Sequence, residues 1–231
     1  MNDLAQIEVI SFDADGTLWD FMKVMRHSLK HVMKAIEEID PESAALLTID
    51  KIITIRDRVA NNLKGIVINM EEVRLRAFQE TLKAIRRPNE ELASYLNEIY
   101  LKHRFEDIEL YDDVLPILNV LKKKYKLGIL SNGNSYPEKC GLDNLFQFVV
   151  FSQDYGIEKP NKYLFEITMK EANCTSNQIL HIGDSLETDI QGANNAGIRN
   201  VWLNRESKKN TLGVKVDYEI TSLSELLKIL K

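Results

Sequence analysis

Apolar positions follow a helical spacing through the first half of this chain. From Phe21 to Ile39, apolar residues recur three and four positions apart, which places them on one face of a helix. Asp40 followed by Pro41 is typical of an N-cap residue with proline at the first helical position. The same spacing predicts a second helix ending near Leu63, a third over 69–85 and a fourth over 88–105.

The flanking regions instead show short apolar runs that alternate with helical patterns. Such alternation indicates βαβ units and a mainly parallel sheet covered by helices. Ser222 and Glu225 have the spacing of a capping box, which predicts a last helix at the C-terminus. The predicted strands are residues 7–12, 127–130, 148–151, 179–182 and 201–203.

Glycine usage marks a boundary between these two kinds of pattern. Between Gly16 and Gly128 the only glycine is Gly65, whereas glycines recur throughout the rest of the chain. We therefore predict an α/β core interrupted after its first strand by a helical insert of roughly ninety residues, a usual domain size. The predicted ranges are 1–18 and 108–231 for the core and 19–107 for the insert.

The composition and net charge of the chain limit the kinds of molecule that it is expected to bind. The 231-residue chain has a formal net charge of -5, which argues against a general nucleic-acid or anionic-membrane surface. No stretch approaches the roughly 18 apolar residues of a membrane span, and the acidic N-terminus is unlike a signal peptide. Cys140 and Cys174 lie far apart without metal-ligand spacing, which fits a reducing compartment. We expect a cytoplasmic protein, monomeric or homodimeric.

Acidic residues follow the first predicted strand, in the stretch SFDADGTLWD. Asp13 and Asp15 are two residues apart, so in extended chain they project to the same side. This arrangement suits a nucleophile beside a proton donor, although an Asp-Gly turn that merely ends a strand has the same sequence. Asp20 either joins these acids or caps the first helix. Carboxylates this close need a cation or hydrogen-bond donors nearby.

Polar residues also follow the strands ending at Leu130 and Ile182. Ser131-Asn132-Gly133 offers a hydroxyl, an amide and backbone N–H groups for phosphoryl oxygens, or forms a plain turn. Lys159 precedes a proline that disfavours helix there, so its side chain is either aimed at these groups or solvated. Since ligands bind beyond the carboxyl ends of parallel strands, we expect these side chains to meet.

Asp184 and Asp189, in GDSLETDIQGANNAG, flank a predicted strand-to-helix turn. Their carboxylates suit a hard cation such as Mg²⁺, although Asp184 alone is also explained as a helix cap. His27 and His31 have i, i+4 spacing without the HExxH pattern, so a helix face explains them better than a metal site. His181 falls within a strand and is interpreted as a core histidine.

Together these stretches resemble the haloacid dehalogenase superfamily, specifically its phosphatase branch with a helical cap inserted after the first strand. The matching segments are SFDADGTLWD, ILSNG, GIEKPNKYLF and HIGDSLETDIQGANNAG. The resemblance implies a Rossmann-like parallel sheet of order 3-2-1-4-5 and a Mg²⁺-dependent phosphatase acting on a small phosphorylated metabolite. The insert matches only in position and helical character, so the substrate stays open.

The resemblance also implies a role for each site residue. Asp13 is the expected nucleophile that forms an aspartyl phosphate, and Asp15 the acid that protonates the leaving oxygen and then activates water. The carboxylates of Asp13 and Asp184 and the backbone carbonyl of Asp15 are expected to ligate Mg²⁺. The remaining roles are phosphoryl binding by Ser131, Asn132 and Lys159, and orientation of Lys159 or a metal-bound water by Asp189.

Other functions stay open on the sequence alone. A phosphomutase of the same superfamily shares the core chemistry. A dehalogenase lacks the second acid, Asp15, and needs no metal. A receiver-type signalling protein gathers similar residues but has its paired acids adjacent and no large insert. A binding protein with a vestigial site would not need every expected catalytic residue, and all of them are present here.

Overall fold

A computed structural model of the chain describes residues 4–230. The chain divides into two compact units, one formed by Met1–Asp20 with Leu110–Lys231 and the other by Phe21–Glu109. We call them the α/β unit and the helical unit. Residues 1–3 and 231, which the predicted core range includes, lie outside the described residues.

A parallel sheet forms the centre of the α/β unit. Its order within the described residues is β3-β2-β1-β4-β5-β6. The predicted α/β fold and the order 3-2-1-4-5 are confirmed, with β6 added at one edge; three residues are too few for the sequence pattern to reveal that strand. The strands are β1 (Val9–Phe12), β2 (Lys126–Ser131), β3 (Phe148–Phe151), β4 (Ile179–Gly183), β5 (Arg199–Leu203) and β6 (Tyr218–Ile220).

The helical unit contains five α-helices, all within Phe21–Glu109. The Asp40 side chain accepts a hydrogen bond from Ser43 N, as an N-cap does, but the helix it starts ends at Ala44. The second long helix begins only after Thr48, whose side chain caps it. These helices are α1 (Phe21–Ile39), α2 (Pro41–Ala44), α3 (Ile49–Leu63), α4 (Met70–Ala84) and α5 (Glu90–Glu106).

Helices of the α/β unit connect its strands. Gln191–Asn195 follows a π-helical turn at Leu186–Ile190, and the predicted capping box at Ser222 is present, although it opens a 3₁₀ turn before the last α-helix. None of the helices within 4–230 combines the length and the apolar character needed to cross a membrane. The helices are α6 (Val114–Leu121), α7 (Ser152–Tyr155), α8 (Lys162–Ala172), α9 (Gln191–Asn195) and α10 (Leu226–Ile229).

Candidate active site

Sheet register brings the three polar strand ends together. Phe12, the last residue of β1, is paired with Ile129 of β2 and with Ile182 of β4. The backbone N–H of Asp13 then donates to Ile182 O at 2.8 Å, which fixes the first residue beyond β1 against β4. The residues that follow β1, β2 and β4 therefore emerge side by side at the carboxyl edge of the sheet, where parallel sheets bind ligands.

Lys159 lies at the centre of this group, with only 4% of its surface exposed. Its Nζ donates to Asp13 Oδ1 at 2.6 Å and to Asp189 Oδ1 at 2.6 Å. A further bond to Leu130 O at 2.9 Å joins the ammonium group to β2. The predicted cation and two of the predicted acids are thus in direct contact, in a part of the molecule closed to bulk water.

Burial and charge act in opposite directions on this buried triplet. Burial by itself lowers the pKa of Lys159, but the charges of Asp13 and Asp189 outweigh it and hold that pKa above its ordinary value. Burial raises the pKa of Asp13 well above its ordinary value, against the opposing charge of Lys159. Burial also favours the neutral form of Asp189, but Lys159 and His181 lower the pKa of Asp189 to about 2.

Asp184 completes the acidic cluster directly after β4. One carboxylate oxygen from each of Asp13, Asp184 and Asp189 lies within 4.8 Å of the others. Partial desolvation by the surrounding residues, followed by the charge of Asp189, raises the pKa of Asp184 to about 6. The side chain of Asp184 is nevertheless exposed to solvent, so an ion can reach it.

This cluster suits Mg²⁺. Its members carry three carboxylates when ionised, whereas Lys159 supplies one positive charge among them. Burial is the main cause of the raised pKa values of Asp13 and Asp184, and the negative charge of the neighbouring carboxylates adds to it. Oxygen donors are the ligands that Mg²⁺ prefers, and a divalent cation would remove the imbalance.

Asn132 contacts the backbone of Lys159 through both ends of its side-chain amide. Its Oδ1 accepts from Lys159 N at 2.7 Å, and its Nδ2 donates to Lys159 O at 3.1 Å. The structure therefore shows Asn132 fixing the Lys159 loop, which is a role that the sequence did not predict. Ser131, at the end of β2, is buried and its Oγ accepts from Gly133 N at 3.1 Å.

One carboxylate oxygen of Asp15 accepts hydrogen bonds from a residue four positions later and from the loop after β2. Its Oδ1 accepts from Trp19 Nε1 at 2.8 Å and from Ser135 Oγ at 3.3 Å. Its Oδ2 lies against Gly133, where a Cβ atom would approach it to 2.7 Å. Asp15 Oδ2 therefore lies on the Ser131–Gly133 side of the site.

Gly16 and Thr17 shape the side of the site that contains Asp184. Gly16 has a φ of +91°, and a Cβ atom there would lie 2.6 Å from Asp184 Oδ2. The buried Thr17 donates from Oγ1 to Asp184 Oδ1 at 3.3 Å. The Gly-Thr turn thus makes room for Asp184 and also holds it. Asp20 directly precedes α1. The pKa of Tyr111 is raised, first by the burial of Tyr111 itself and second by the negative charge of Asp20.

His181, which the sequence analysis interprets as a core histidine, also contacts the site. The residue is fully buried in β4, as predicted, but its Nε2 lies 3.4 Å from Asp189 Oδ1 and its Nδ1 lies 2.9 Å from Ser11 Oγ. Burial lowers the pKa of His181, which favours the neutral ring, and a neutral ring with its proton on Nε2 would donate to Asp189. Successive side chains of a strand point to opposite faces, so His181 and Ile182 lie on opposite faces of β4. This alternation does not by itself reveal the contact between His181 and Asp189.

The model of the haloacid dehalogenase-like hydrolase family matches residues 7–197, which include every residue of this site. The chain belongs to that family. The match covers the first strand, the helical unit and the loops that carry Lys159, Asp184 and Asp189. The superfamily assignment made from the sequence is confirmed.

Two curated relatives from Escherichia coli (strain K12) are a nucleotidase and a phosphatase by name. Pyrimidine 5'-nucleotidase YjjG is 32% identical over 141 residues, spanning 58% of this chain and 63% of that protein. 5-Amino-6-(5-phospho-D-ribitylamino)uracil phosphatase YigB is 26% identical over 209 residues, spanning 88% of this chain and 86% of that protein. Together with the family match, these relatives support a phosphoric monoester hydrolase.

Solved structures share the fold along almost the whole chain. A 2-haloacid dehalogenase from Pseudomonas syringae pv. Tomato DC3000 superposes with a TM-score of 0.83 at 27% identity, covering 97% of this chain and 98% of that chain. The putative HAD-hydrolase YfnB from Bacillus subtilis, solved bound to magnesium, superposes with a TM-score of 0.77 at 26% identity, covering 98% of this chain and 99% of that chain.

Proposed function

We propose that this protein is a Mg²⁺-dependent phosphatase that hydrolyses small phosphorylated metabolites through an aspartyl phosphate on Asp13. The observation that carries the proposal is the contact of the buried Lys159 with both Asp13 and Asp189. Asp184 lies beside these two acids, and Asp15 follows β1 two residues after Asp13. Phosphoryl transfer depends chiefly on positioning and charge stabilisation, and this arrangement offers both.

In the first half of the reaction, a carboxylate oxygen of Asp13 forms a bond to phosphorus while the bond from phosphorus to the leaving oxygen breaks. Lys159 fixes the rotation of the Asp13 carboxylate through Oδ1 and offsets negative charge at the phosphoryl group. Asp15 gives its proton to the leaving oxygen, so the product departs as a neutral alcohol. Hydrogen bonds from Trp19 and Ser135 to Oδ1 orient the Asp15 carboxyl group for this transfer.

In the second half, Asp15 is ionised and removes a proton from an incoming water molecule. The water oxygen attacks phosphorus, the bond to Asp13 breaks, and inorganic phosphate leaves with Asp15 protonated again. Ser131 Oγ and the backbone N–H groups after β2 would bind the phosphoryl oxygens, while Asn132 keeps the Lys159 loop in place.

Mg²⁺, held by the carboxylates of Asp13 and Asp184 and the backbone carbonyl of Asp15, would supply the positive charge that balances the phosphoryl group and these acids. The magnesium-bound relative YfnB supports this assignment. Asp189 would act through Lys159, with which it is ion-paired at 2.6 Å. We further propose a cytoplasmic location, which the two free cysteines fit.

The test is phosphate release from a panel of small phosphoesters, with Mg²⁺ or with a chelator. The panel begins with pyrimidine nucleoside 5'-monophosphates and continues with sugar phosphates and phosphoglycolate. Asp13→Asn should lower turnover by more than about a thousandfold, because it removes the nucleophile. Asp143→Asn makes the same change at an exposed acid outside the site and should leave turnover intact.

Three results would reject the proposal. Turnover by Asp13→Asn close to that of the unmodified protein would remove the nucleophile assignment. Halide release from 2-chloropropionate without phosphate release would favour a dehalogenase, as in the Pseudomonas syringae relative. Phosphoryl transfer between two positions of a sugar phosphate, without phosphate release, would favour a phosphomutase.

A further inference from the structure

A second group of metal-ligating side chains lies in the helical unit. It consists of His27 and His31 on α1, His103 in the last turn of α5, and Asp107, which follows α5. We call these four residues the histidine cluster. None of them belongs to the proposed catalytic machinery, since all four lie in the helical unit and the catalytic residues lie in the α/β unit.

Two helices bring the cluster together. His27 and His31 are four residues apart, so both project from one face of α1. α1 packs against α5, and His103 in the last turn of α5 has the same i, i+4 spacing to Asp107, which directly follows that helix. The i, i+4 pair on α1 was explained by a helix face, because the sequence does not show that α5 places another such pair opposite it.

Two of the distances between ligand atoms are near those around a tetrahedral ion. Asp107 Oδ2 lies 3.0 Å from His27 Nε2 and 2.7 Å from His103 Nδ1. One ligand atom from each of the four residues lies within 4.8 Å of the others. Bonds of about 2.0–2.1 Å in a tetrahedral Zn²⁺ site place ligand atoms about 3.3 Å apart. Rotation of side chains supplies the remaining adjustment.

The histidine rings of the cluster adjoin one another. The ring of His31 stacks on that of His103 with centroids 3.5 Å apart and lies 5.0 Å from that of His27. The three rings are therefore close enough to direct one nitrogen each toward a single ion, together with the carboxylate of Asp107. Imidazole nitrogen and carboxylate oxygen are both common ligands of Zn²⁺.

An ion can reach the cluster from solvent. The side chains of His27 and Asp107 are 44% and 38% exposed. Both line a cleft of about 830 Å³ that also includes Lys23 and Arg26. Lys23 and Arg26 are ion-paired with Glu109 and Asp50, which offsets their charges. The cleft is also lined by one further cation, Lys30, and by the acid Glu106.

We propose that His27, His31, His103 and Asp107 bind Zn²⁺ and so join α1 to the end of α5. Imidazole nitrogens suit Zn²⁺, whereas Mg²⁺ prefers oxygen ligands, so this site and the acidic site in the α/β unit select different ions. The rings of His31 and His103 are 10° from parallel, so His31 rotates out of the stack when it joins the coordination sphere.

The first experiment is calorimetric titration of the untagged protein with Zn²⁺ while Mg²⁺ is held in excess. We expect one Zn²⁺ per chain at the cluster, and a rise of roughly 5 °C in the midpoint of thermal unfolding at a hundredfold excess over Kd. His31→Gln and His103→Gln should each weaken binding at least tenfold. Glu37→Gln, on an exposed part of α1, is the matched control and should leave Kd unchanged.

A spectroscopic experiment identifies the ligands. Co²⁺ in place of Zn²⁺ should give visible absorption typical of tetrahedral coordination, and His27→Gln, at the most exposed histidine of the cluster, should remove it without unfolding the protein. Asp184→Asn should leave both the absorption and Kd unchanged, because it alters only the acidic site. Equal Zn²⁺ affinity in the unmodified protein and His103→Gln, or no Zn²⁺ binding with folding intact, would overturn the proposal.

Discussion

Lys159 balances two buried acids at once. Its ammonium group is in contact with Asp13 and Asp189, and both carboxylates are nearly closed to solvent. A buried ion group of this kind contributes little net stability when complete, yet removal of one member leaves charges that water cannot reach. The consequences of changing Lys159 should therefore appear in stability as well as in catalysis.

Lys159→Gln should lower the free energy of unfolding by about 3–5 kcal/mol and abolish phosphate release, since it leaves Asp13 and Asp189 uncompensated. Adding Asp189→Asn should restore much of the stability without restoring turnover. Urea unfolding in the presence of a chelator measures the first effect. Lys162→Gln, which alters an exposed lysine paired with Glu166, should change stability by less than about 1 kcal/mol. If Lys159→Gln and Lys162→Gln unfold with equal free energies, the charges of Asp13 and Asp189 do not depend on Lys159 as described.

Gly16→Ala should reduce turnover by about 10- to 100-fold, because the added Cβ would lie 2.6 Å from Asp184 Oδ2 and displace that carboxylate. The apparent Mg²⁺ affinity in the activity assay should fall as well. Gly141→Ala is the control: Gly141 shares a positive φ, of +70°, but nothing lies within 4 Å of its added Cβ. Both variants lose some stability through backbone strain, so a turnover defect common to both would argue against displacement of Asp184.

Strand ends are the part of the site that the sequence reveals best. Asp13, Asp15 and Asp184 directly follow apolar runs, so their convergence follows from parallel pairing alone. The contacts of Asn132 with Lys159, and of Trp19 and Ser135 with Asp15, depend on the paths of loops. The path of a loop leaves no periodic pattern in the sequence, so these contacts could not be predicted from it.

Asp113 joins three segments of the α/β unit at the start of α6. Its carboxylate accepts from Arg205 Nη1 and Nη2 at 3.0 and 2.9 Å, from Ser222 Oγ at 2.8 Å and from Leu223 N at 2.8 Å. Burial alone would raise the pKa of Asp113, but hydrogen bonds from Arg205, Ser222 and Leu223 lower it. The segments after β5 and β6 thus both depend on one ionised side chain.

Asp113→Asn should destabilise the protein by about 1–3 kcal/mol at neutral pH, because it removes the charge from these hydrogen bonds. The folded-state pKa of Asp113 lies below the unfolded value of about 3.9, so the contribution is fully present above the unfolded value and is lost as the pH falls from there through the folded-state pKa. Urea unfolding at pH 7 and at pH 3 should show a smaller difference between variant and parent at pH 3. Asp112→Asn, at the exposed neighbour, should match the parent; a pH-independent difference for Asp113→Asn would contradict this account.

Long periodic helices were predicted within a few residues, as α4 and α5 show. Short elements were not. α2 ends at Ala44 although its start is well marked, and the stretch after Ser185 forms a π-helical turn before α9. Such elements contain too few residues for a period to show, and their conformation is set by individual hydrogen bonds such as that from Ser185 N to Asp189 Oδ2 at 3.0 Å.

Each of the two units contains an apolar cluster built from its own residues. In the helical unit, one cluster of buried side chains draws its members only from the range 25–100, among them Phe78, Leu82 and Leu96. In the α/β unit, another cluster includes Leu130, Leu164 and Phe165, all from that unit. The scarcity of glycine between Gly16 and Gly128 therefore reflects a region that buries its own helices.

Because that core is complete within one continuous segment, a fragment of residues 21–109 should fold by itself. Circular dichroism should show a helical fragment that melts in one cooperative transition. Leu96→Ala, at a fully buried position, should destabilise the fragment by about 2–5 kcal/mol, because it leaves a cavity. Tyr95→Ala changes the adjacent residue, which is 50% exposed, and should cost much less. A fragment that melts gradually, or one equally sensitive to both changes, would mean that the helical unit needs the rest of the chain to fold.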